Sequence, residues 1–121
     1  MPSPRDDCLF CRLVADGDHV LAGDGFVAIR DLDPLAETHL LVLPERHVDT
    51  FRNVGDFPEA EAGRMLHFVA DTARAARLED YRVLVNVGPG AGQTVFHLHW
   101  HVLGGKLDAA RVSDALGIGP A

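Results

Sequence analysis

Between Phe96 and Val102 the chain alternates imidazole with apolar side chains: His97, Leu98, His99, Trp100, His101. Only an extended strand turns every second residue to the same side, so the pattern sets one face of imidazoles against another of Leu98, Trp100 and Val102. A helix would scatter the three rings around its axis. At about 3.3 Å per residue, neighbouring histidines on that face start ~6.6 Å apart and the outer two ~13 Å apart, too far for all three to share one ion. Two neighbours could converge on a metal, leaving the third for other work. Any single histidine here reads as a solvated strand face. Three of the chain's seven, in strict alternation behind a glycine-rich loop, argue against that reading.

The loop is Gly88-Pro89-Gly90-Ala91-Gly92-Gln93-Thr94, with Asn86 just ahead of it. It offers open backbone N–H groups, an amide and a hydroxyl, a means of holding phosphate oxygens without a basic side chain. The overall charge argues against nucleic acid as the source of that phosphate. There are 18 acidic and 11 basic side chains, a net charge of −7, and no block of Lys or Arg, so a nucleic-acid backbone is not expected as a partner. No apolar run approaches the ~20 residues that span a bilayer, and the Met1-Pro2-Ser3-Pro4 start has no apolar signal segment. No membrane partner is expected, and the expected location is cytoplasmic. Cys8 and Cys11 form one local Cys-x-x-Cys pair, which suits a reduced pair or a metal half-site better than the disulfide framework of a secreted scaffold.

At 121 residues the chain suits a single domain. The predicted organisation is a flexible leader over 1–7, a domain over 8–105 and a tail over 106–121. Asp6 and Asp7 are expected to cap a short helix that ends at Gly17. Strands are expected over 20–22 and 26–30, flanking the Gly23-Asp24-Gly25 turn, then over 39–43, where Pro44 stops the third. Met65, Leu66, Val69, Ala70, Ala73 and Ala76 recur at helical spacing within 56–78, the one long helix. Strands over 81–87 and 95–103 follow, and a weak helix is expected over 109–116. The fold class is α+β: an antiparallel sheet of about five strands with one long and one short helix. With the long helix on one face, the other face needs a cover or a ligand.

Gln93-Thr94-Val95-Phe96-His97-Leu98-His99-Trp100-His101-Val102-Leu103-Gly104-Gly105 resembles the signature of the histidine-triad (HIT) family, and its Val-Leu-Gly-Gly ending resembles the Hint branch of purine nucleoside phosphoramidases. Cys8-Leu9-Phe10-Cys11, Arg30-Asp31-Leu32-Asp33-Pro34, Thr38-His39-Leu40-Leu41-Val42-Leu43-Pro44 and Arg46-His47-Val48 fall in family order, so the likeness covers 8–105. The tail beyond Lys106 departs from the aromatic C-terminus of animal Hint proteins, which bears on selectivity near the leaving group. Thr94 stands where the Hint branch usually has serine, a swap that keeps the hydroxyl.

The resemblance implies a homodimer with its sheet extended across two copies, acting on a purine nucleotide of the AMP-amine or AMP-lysine type. His99 would attack the α-phosphate to give a covalent nucleotidyl-histidine, and His101 would contact a phosphate oxygen or pass a proton to the departing amine. Asn86, Gly92, Gln93 and Thr94 would hold phosphate oxygens beside those two imidazoles. Asp31 with Leu32 would meet the ribose, and Phe10, Leu13 and Ile29 would sandwich the base. Taken as residues alone, these last three serve equally as core, and Asp31 as a turn residue before Pro34. Cys8, Cys11, His47 and His97 would form a closed two-sulfur, two-nitrogen shell for structural zinc; two buried reduced cysteines are the alternative. No organic cofactor is expected. His39 reads as a buried, hydrogen-bonded residue, and His19 and His67 as surface or core-edge groups.

Three other functions stay open at this point: a dinucleoside polyphosphate hydrolase of the same family, a non-catalytic nucleotide-binding module, and a mononuclear metal enzyme using His-x-His directly. The last needs a third ligand, and the first acid after His101 is Asp108.

Overall fold

In the computed structural model, residues 7–116 are described, with side chains through Asp114. Most of the expected leader and the end of the tail lie outside the described residues. Helix α1 (Leu9–Asp16) is followed by strands β1 (Leu21–Gly23), β2 (Phe26–Arg30) and β3 (Ala36–Pro44). A 3₁₀ turn at Phe51–Asp56 leads to helix α2 (Glu59–Ala75) and strand β4 (Tyr81–Leu84). A second 3₁₀ turn, Pro89–Ala91, leads to strand β5 (Trp100–Leu107) and helix α3 (Ala109–Leu116). The five strands form one antiparallel sheet in the order β1-β2-β3-β5-β4.

Period-two alternation along the central strands divides the interior into two layers. Phe26, Ala28, Leu40, Val42 and Val102 face α2, whose Met65, Phe68, Val69 and Ala73 meet them at helical spacing. Trp100 packs on this layer with its ring edge-to-face on Phe51, centroids 5.6 Å apart. Val27, Ile29, Leu41 and Leu43 point the other way and are covered by Cys8, Phe10 and Cys11 from α1. That second layer is partial, and what α1 leaves uncovered is the site described below.

Several boundaries differ from expectation, some for local reasons and some because of partners far along the chain. The α1 cap is Cys8, whose sulfur accepts the Cys11 N–H at 3.3 Å, and not Asp6 or Asp7. β3 begins earlier, at Ala36, because its first residues pair with the extended end of β5. β4 stops at Leu84, leaving Asn86 in the loop. β5 starts only at Trp100. Before it, the Leu98 N–H donates to the Val48 carbonyl at 2.6 Å instead of to a strand, so His97 and His99 lie in an extended but unpaired run. Their alternation survives without the ladder: Leu98 is buried in the α2 layer while His97 and His99 turn to the α1 side.

Candidate active site and metal centre

His39 projects from β3 and His101 from β5 on the same side of the sheet, because Leu41 pairs with His101 and His39 lies two residues along. His39 is thus diagonal to His101, and a bond of 2.8 Å joins His39 Nε2 to His101 Nδ1. The backbone settles who donates. The Leu35 N–H points at His39 Nδ1, 3.0 Å away, which makes that nitrogen an acceptor and puts the proton of the neutral ring on Nε2. His39 Nε2–H therefore donates to His101 Nδ1, and the proton of His101 sits on its own Nε2. That nitrogen is buried and has no partner among the described residues.

His99 has the opposite arrangement. Its Nδ1–H donates to the His97 carbonyl at 2.7 Å, leaving the lone pair on Nε2. Two neighbouring imidazoles, with ring centroids 5.1 Å apart, thus present a lone pair and an N–H donor, fixed by bonds on their far sides. Burial is the main cause that lowers the pKa of His99, despite the opposing pull of the His97 carbonyl. Burial, helped by His99 and His39, pushes His101 down to about 3. His39 is lowered by burial as well, against Asp31, which favours its charged form. All three rings are neutral at pH 7.

These imidazoles open onto a cavity of about 470 Å³. Phe10, Leu13 and Ile29 line it, with Leu9, Leu35 and Leu41 extending the apolar wall. Asp31 and Leu32 line its rim, and Asn86, Gly92 and Thr94 its loop side. Phe10 is buried in the α1 layer and also sets its ring edge on His99, centroids 4.8 Å apart. Asp31 is a turn residue that also lines the cavity. Its Oδ1 accepts the Asp33 N–H at 2.9 Å as a turn residue, while Oδ2 lies 3.3 Å from His39 Nε2.

Gln93 is not brought to the cavity. Its side chain is buried inside the loop, accepting from Gly88 N–H at 2.9 Å and donating to the Asp49 and Val95 carbonyls. The backbone donors expected of this loop are also committed elsewhere. The N–H groups of Ala91, Gly92 and Gln93 bond to the Gly88 and Pro89 carbonyls, closing the 3₁₀ turn. Gly88 at φ 85° and Gly92 at φ 93° allow that closure, and a Cβ on Gly88 would sit 2.9 Å from an Arg52 guanidinium nitrogen. The loop thus brings Asn86 and Thr94 to the cavity and keeps the amides of Gly88, Ala91, Gly92 and Gln93 occupied.

Behind His99 and His101, the sulfurs of Cys8 and Cys11 and one nitrogen each of His47 and His97 lie within 4.8 Å of one another, all buried. Cys11 Sγ is 3.2 Å from His47 Nδ1 and 3.3 Å from His97 Nδ1, and Cys8 Sγ is 3.5 Å from His97 Nδ1. Both rings turn their other nitrogen to an oxygen: His47 Nε2 to Asp49 at 2.6 Å, His97 Nε2 to the Pro44 carbonyl at 2.8 Å. Those acceptors hold the proton on Nε2 and leave the Nδ1 lone pairs aimed at the sulfurs, the second-sphere arrangement of a metal-bound histidine. Burial lowers His97 to about 4, which keeps it in the neutral form a ligand needs. Donor types, number and tautomers all fit a tetrahedral zinc ion.

A second group of potential ligands, Asp31, His39 and His101, also converges. There the Leu35 N–H keeps the proton on the very His39 nitrogen a metal would need, so this group suits proton handling better than metal binding. His97 and His99 diverge, one to the sulfurs and one to the cavity, which is not the His-x-His centre of a mononuclear metal enzyme. His39 is buried and hydrogen-bonded, as expected, and its partner is His101. His19 and His67 are exposed, as expected.

The family model for the HIT domain matches residues 12–108. The purine nucleoside phosphoramidase of Escherichia coli is 31% identical over 106 residues, which cover 84% of this chain and 89% of that protein. The crystal structure of a HIT family hydrolase from Legionella pneumophila superposes with a TM-score of 0.75 at 35% identity, covering 83% of this chain and 94% of the other. A zinc-bound histidine triad family protein from Mycobacterium smegmatis superposes at 0.70 with 30% identity, covering 83% and 76%.

Proposed function

Since the chain belongs to the HIT domain family, we propose that it hydrolyses purine nucleoside 5′-phosphoramidates at the α-phosphate, through a covalent nucleotidyl-histidine on His99. The observation that carries this is the pair of fixed tautomers: a lone pair on His99 Nε2 beside an N–H on His101 Nε2, both facing one cavity. His99 Nε2 bonds to phosphorus as the P–N bond to the amine breaks. The departing nitrogen takes a proton from His101 Nε2; a water then attacks phosphorus, the bond from phosphorus to His99 Nε2 breaks to release the nucleoside monophosphate, and the water's proton returns to His101 Nε2. Charge that develops on His99 is stabilised by the His97 carbonyl at Nδ1. Asn86 and Thr94 donate to the phosphoryl oxygens. Asp31 and Leu32 meet the ribose, and Phe10, Leu13 and Ile29 hold the base.

Cys8, Cys11, His47 and His97 would hold a structural zinc ion, which supplies cross-linking with no open coordination position. The phosphoramidase relative and the zinc-bound neighbour support these two assignments. The protein acts as a cytoplasmic homodimer. β4 is the edge strand suited to extending the sheet across two copies, with Tyr81 and Val83 exposed, whereas β1 at the other edge is three residues long.

The test mixes the protein with an adenosine 5′-phosphoramidate. Intact mass is expected to show a transient nucleotidyl adduct, and His99→Ala is expected to bind AMP while losing turnover by at least ~10³-fold. Undiminished turnover in that variant removes His99 from the reaction.

A further inference from the structure

Helix α3 begins at Ala109, immediately beyond the residues that the family model matches. It meets the site through the 31–35 segment. The β3–β5 ladder pairs Thr38 with Gly104 and next Ala36 with Leu107, so a bulge sets two residues of β3 against three of β5. Glu37 bridges the break by accepting the Lys106 N–H. His39 and His101 lie on the regular side of the bulge and Leu35 on the other, so the sheet alone does not fix Leu35 against His39.

Both backbone polar groups of Leu35 are spent on that connection. Its N–H points at His39 Nδ1, 3.0 Å away, and its carbonyl accepts the Asp108 N–H at 2.8 Å. With the 2.8 Å bond from His39 to His101, three hydrogen bonds run in series from the start of α3 to His101. Further contacts hold the same segment. Asp108 Oδ1 caps the helix by accepting the Arg111 N–H at 3.2 Å, and the Arg111 guanidinium pairs with Asp33. The Asp33 N–H in turn holds Asp31 Oδ1 at 2.9 Å, while Asp31 Oδ2 lies 3.3 Å from His39 Nε2. Every group that selects the His39 tautomer is therefore carried by a segment that α3 grips at both ends.

We infer that α3 is a clamp, and that Asp108 and Arg111 are positioning residues for the proton that His101 carries on Nε2. The inference rests on the reading of His101 as the acid that protonates the departing amine. Released from α3, the segment loses its hold on His39, which then also visits the Nδ1–H tautomer. His101 answers by moving its proton to Nδ1, where it is useless to a leaving group.

An amine needs that proton to leave, whereas a nitrophenolate leaves without one. Turnover is therefore measured on the full chain with an alkylamine phosphoramidate of AMP and with the nitrophenyl ester of AMP, beside proton–nitrogen correlation spectra of the histidine rings. Asp108→Pro removes the cap and the N–H that Leu35 accepts, and Leu107 ahead of it is already extended, as a residue before proline must be. Arg111→Ala cuts the pair with Asp33. Both positions are exposed, so the fold is spared. Asp108→Pro is expected to slow the amine substrate about fivefold, the scale of one lost hydrogen bond. Arg111→Ala is expected to slow it about threefold, the scale of an exposed ion pair, with Arg111→Lys restoring it. Neither variant is expected to slow the ester, and in both His39 is expected to pass from a single Nε2–H pattern to an averaged one. Unaltered His39 spectra in both variants, or equal slowing of the two substrates, overturn the clamp and leave the nucleotidyl-histidine reading standing. A wild type that turns over neither substrate overturns that reading and the role of the clamp with it.

Discussion

The tautomer of His101 follows from a proton count that begins at a backbone amide. Leu35 fixes His39, His39 fixes His101, and the outcome is a donor aimed into the cavity rather than a second lone pair. Keeping these rings buried and neutral also ties stability to pH. Both His39 and His101 have pKa values lowered by burial, that of His101 to about 3, while in the unfolded chain they titrate near 6.5. Below that value the unfolded state binds more protons than the native one, so stability is full above about pH 6.5 and declines as pH falls, by up to about 1.4 kcal/mol per pH unit for each histidine. Urea unfolding between about pH 7 and pH 4.5 is expected to show that decline, and His101→Gln a shallower one; equal slopes would show that His101 does not titrate on unfolding. That His99 and His101 share one side was legible in the sequence, because alternation alone puts them there. The partner of His39 was not, since it is set by the β3–β5 register, which no local pattern specifies. Gln93 was misread for a related reason: its composition suits a phosphate donor, but its amide is spent on Gly88, Asp49 and Val95.

Helix α1 is only eight residues long, shorter than helices that persist by themselves in water, and its hold on the sheet comes from Phe10, Cys11 and the cap residue Cys8. Two of those three belong to the Cys/His cluster, so the candidate metal centre and the cavity wall share one element. Stripping metal with a strong chelator is expected to raise amide hydrogen exchange throughout α1 and lower the melting temperature, while β2, β3 and β5 remain protected. Unchanged exchange in α1 would mean that the cluster does not fasten it. The existence of every strand was readable from alternation and turn residues, whereas their ends were not. β5 begins at Trp100 because the Val48 carbonyl captures the Leu98 N–H, a contact between segments fifty residues apart. α3 was legible only as a weak helix; what it covers depends on Asp33 and Leu35, far away along the chain.

Taken whole, the molecule buries the central strands of one sheet face under α2 and covers the other face only in part with α1, and this asymmetry leaves room for a ligand in so small a domain. The proposed dimer uses the edge of the same sheet. Sedimentation of the wild type is expected to give a dimer and Val83→Lys a monomer, since a charge on an edge strand opposes pairing with another edge. Equal masses for the two would exclude β4 as the interface. The chain has one tryptophan, Trp100, set between His99 and His101 in sequence and seated against Phe51 in the α2 layer. Its intrinsic emission is therefore an optical reporter free of interference from any other indole, responding to loss of the packed interior and to events one peptide unit away on the opposite face of the strand.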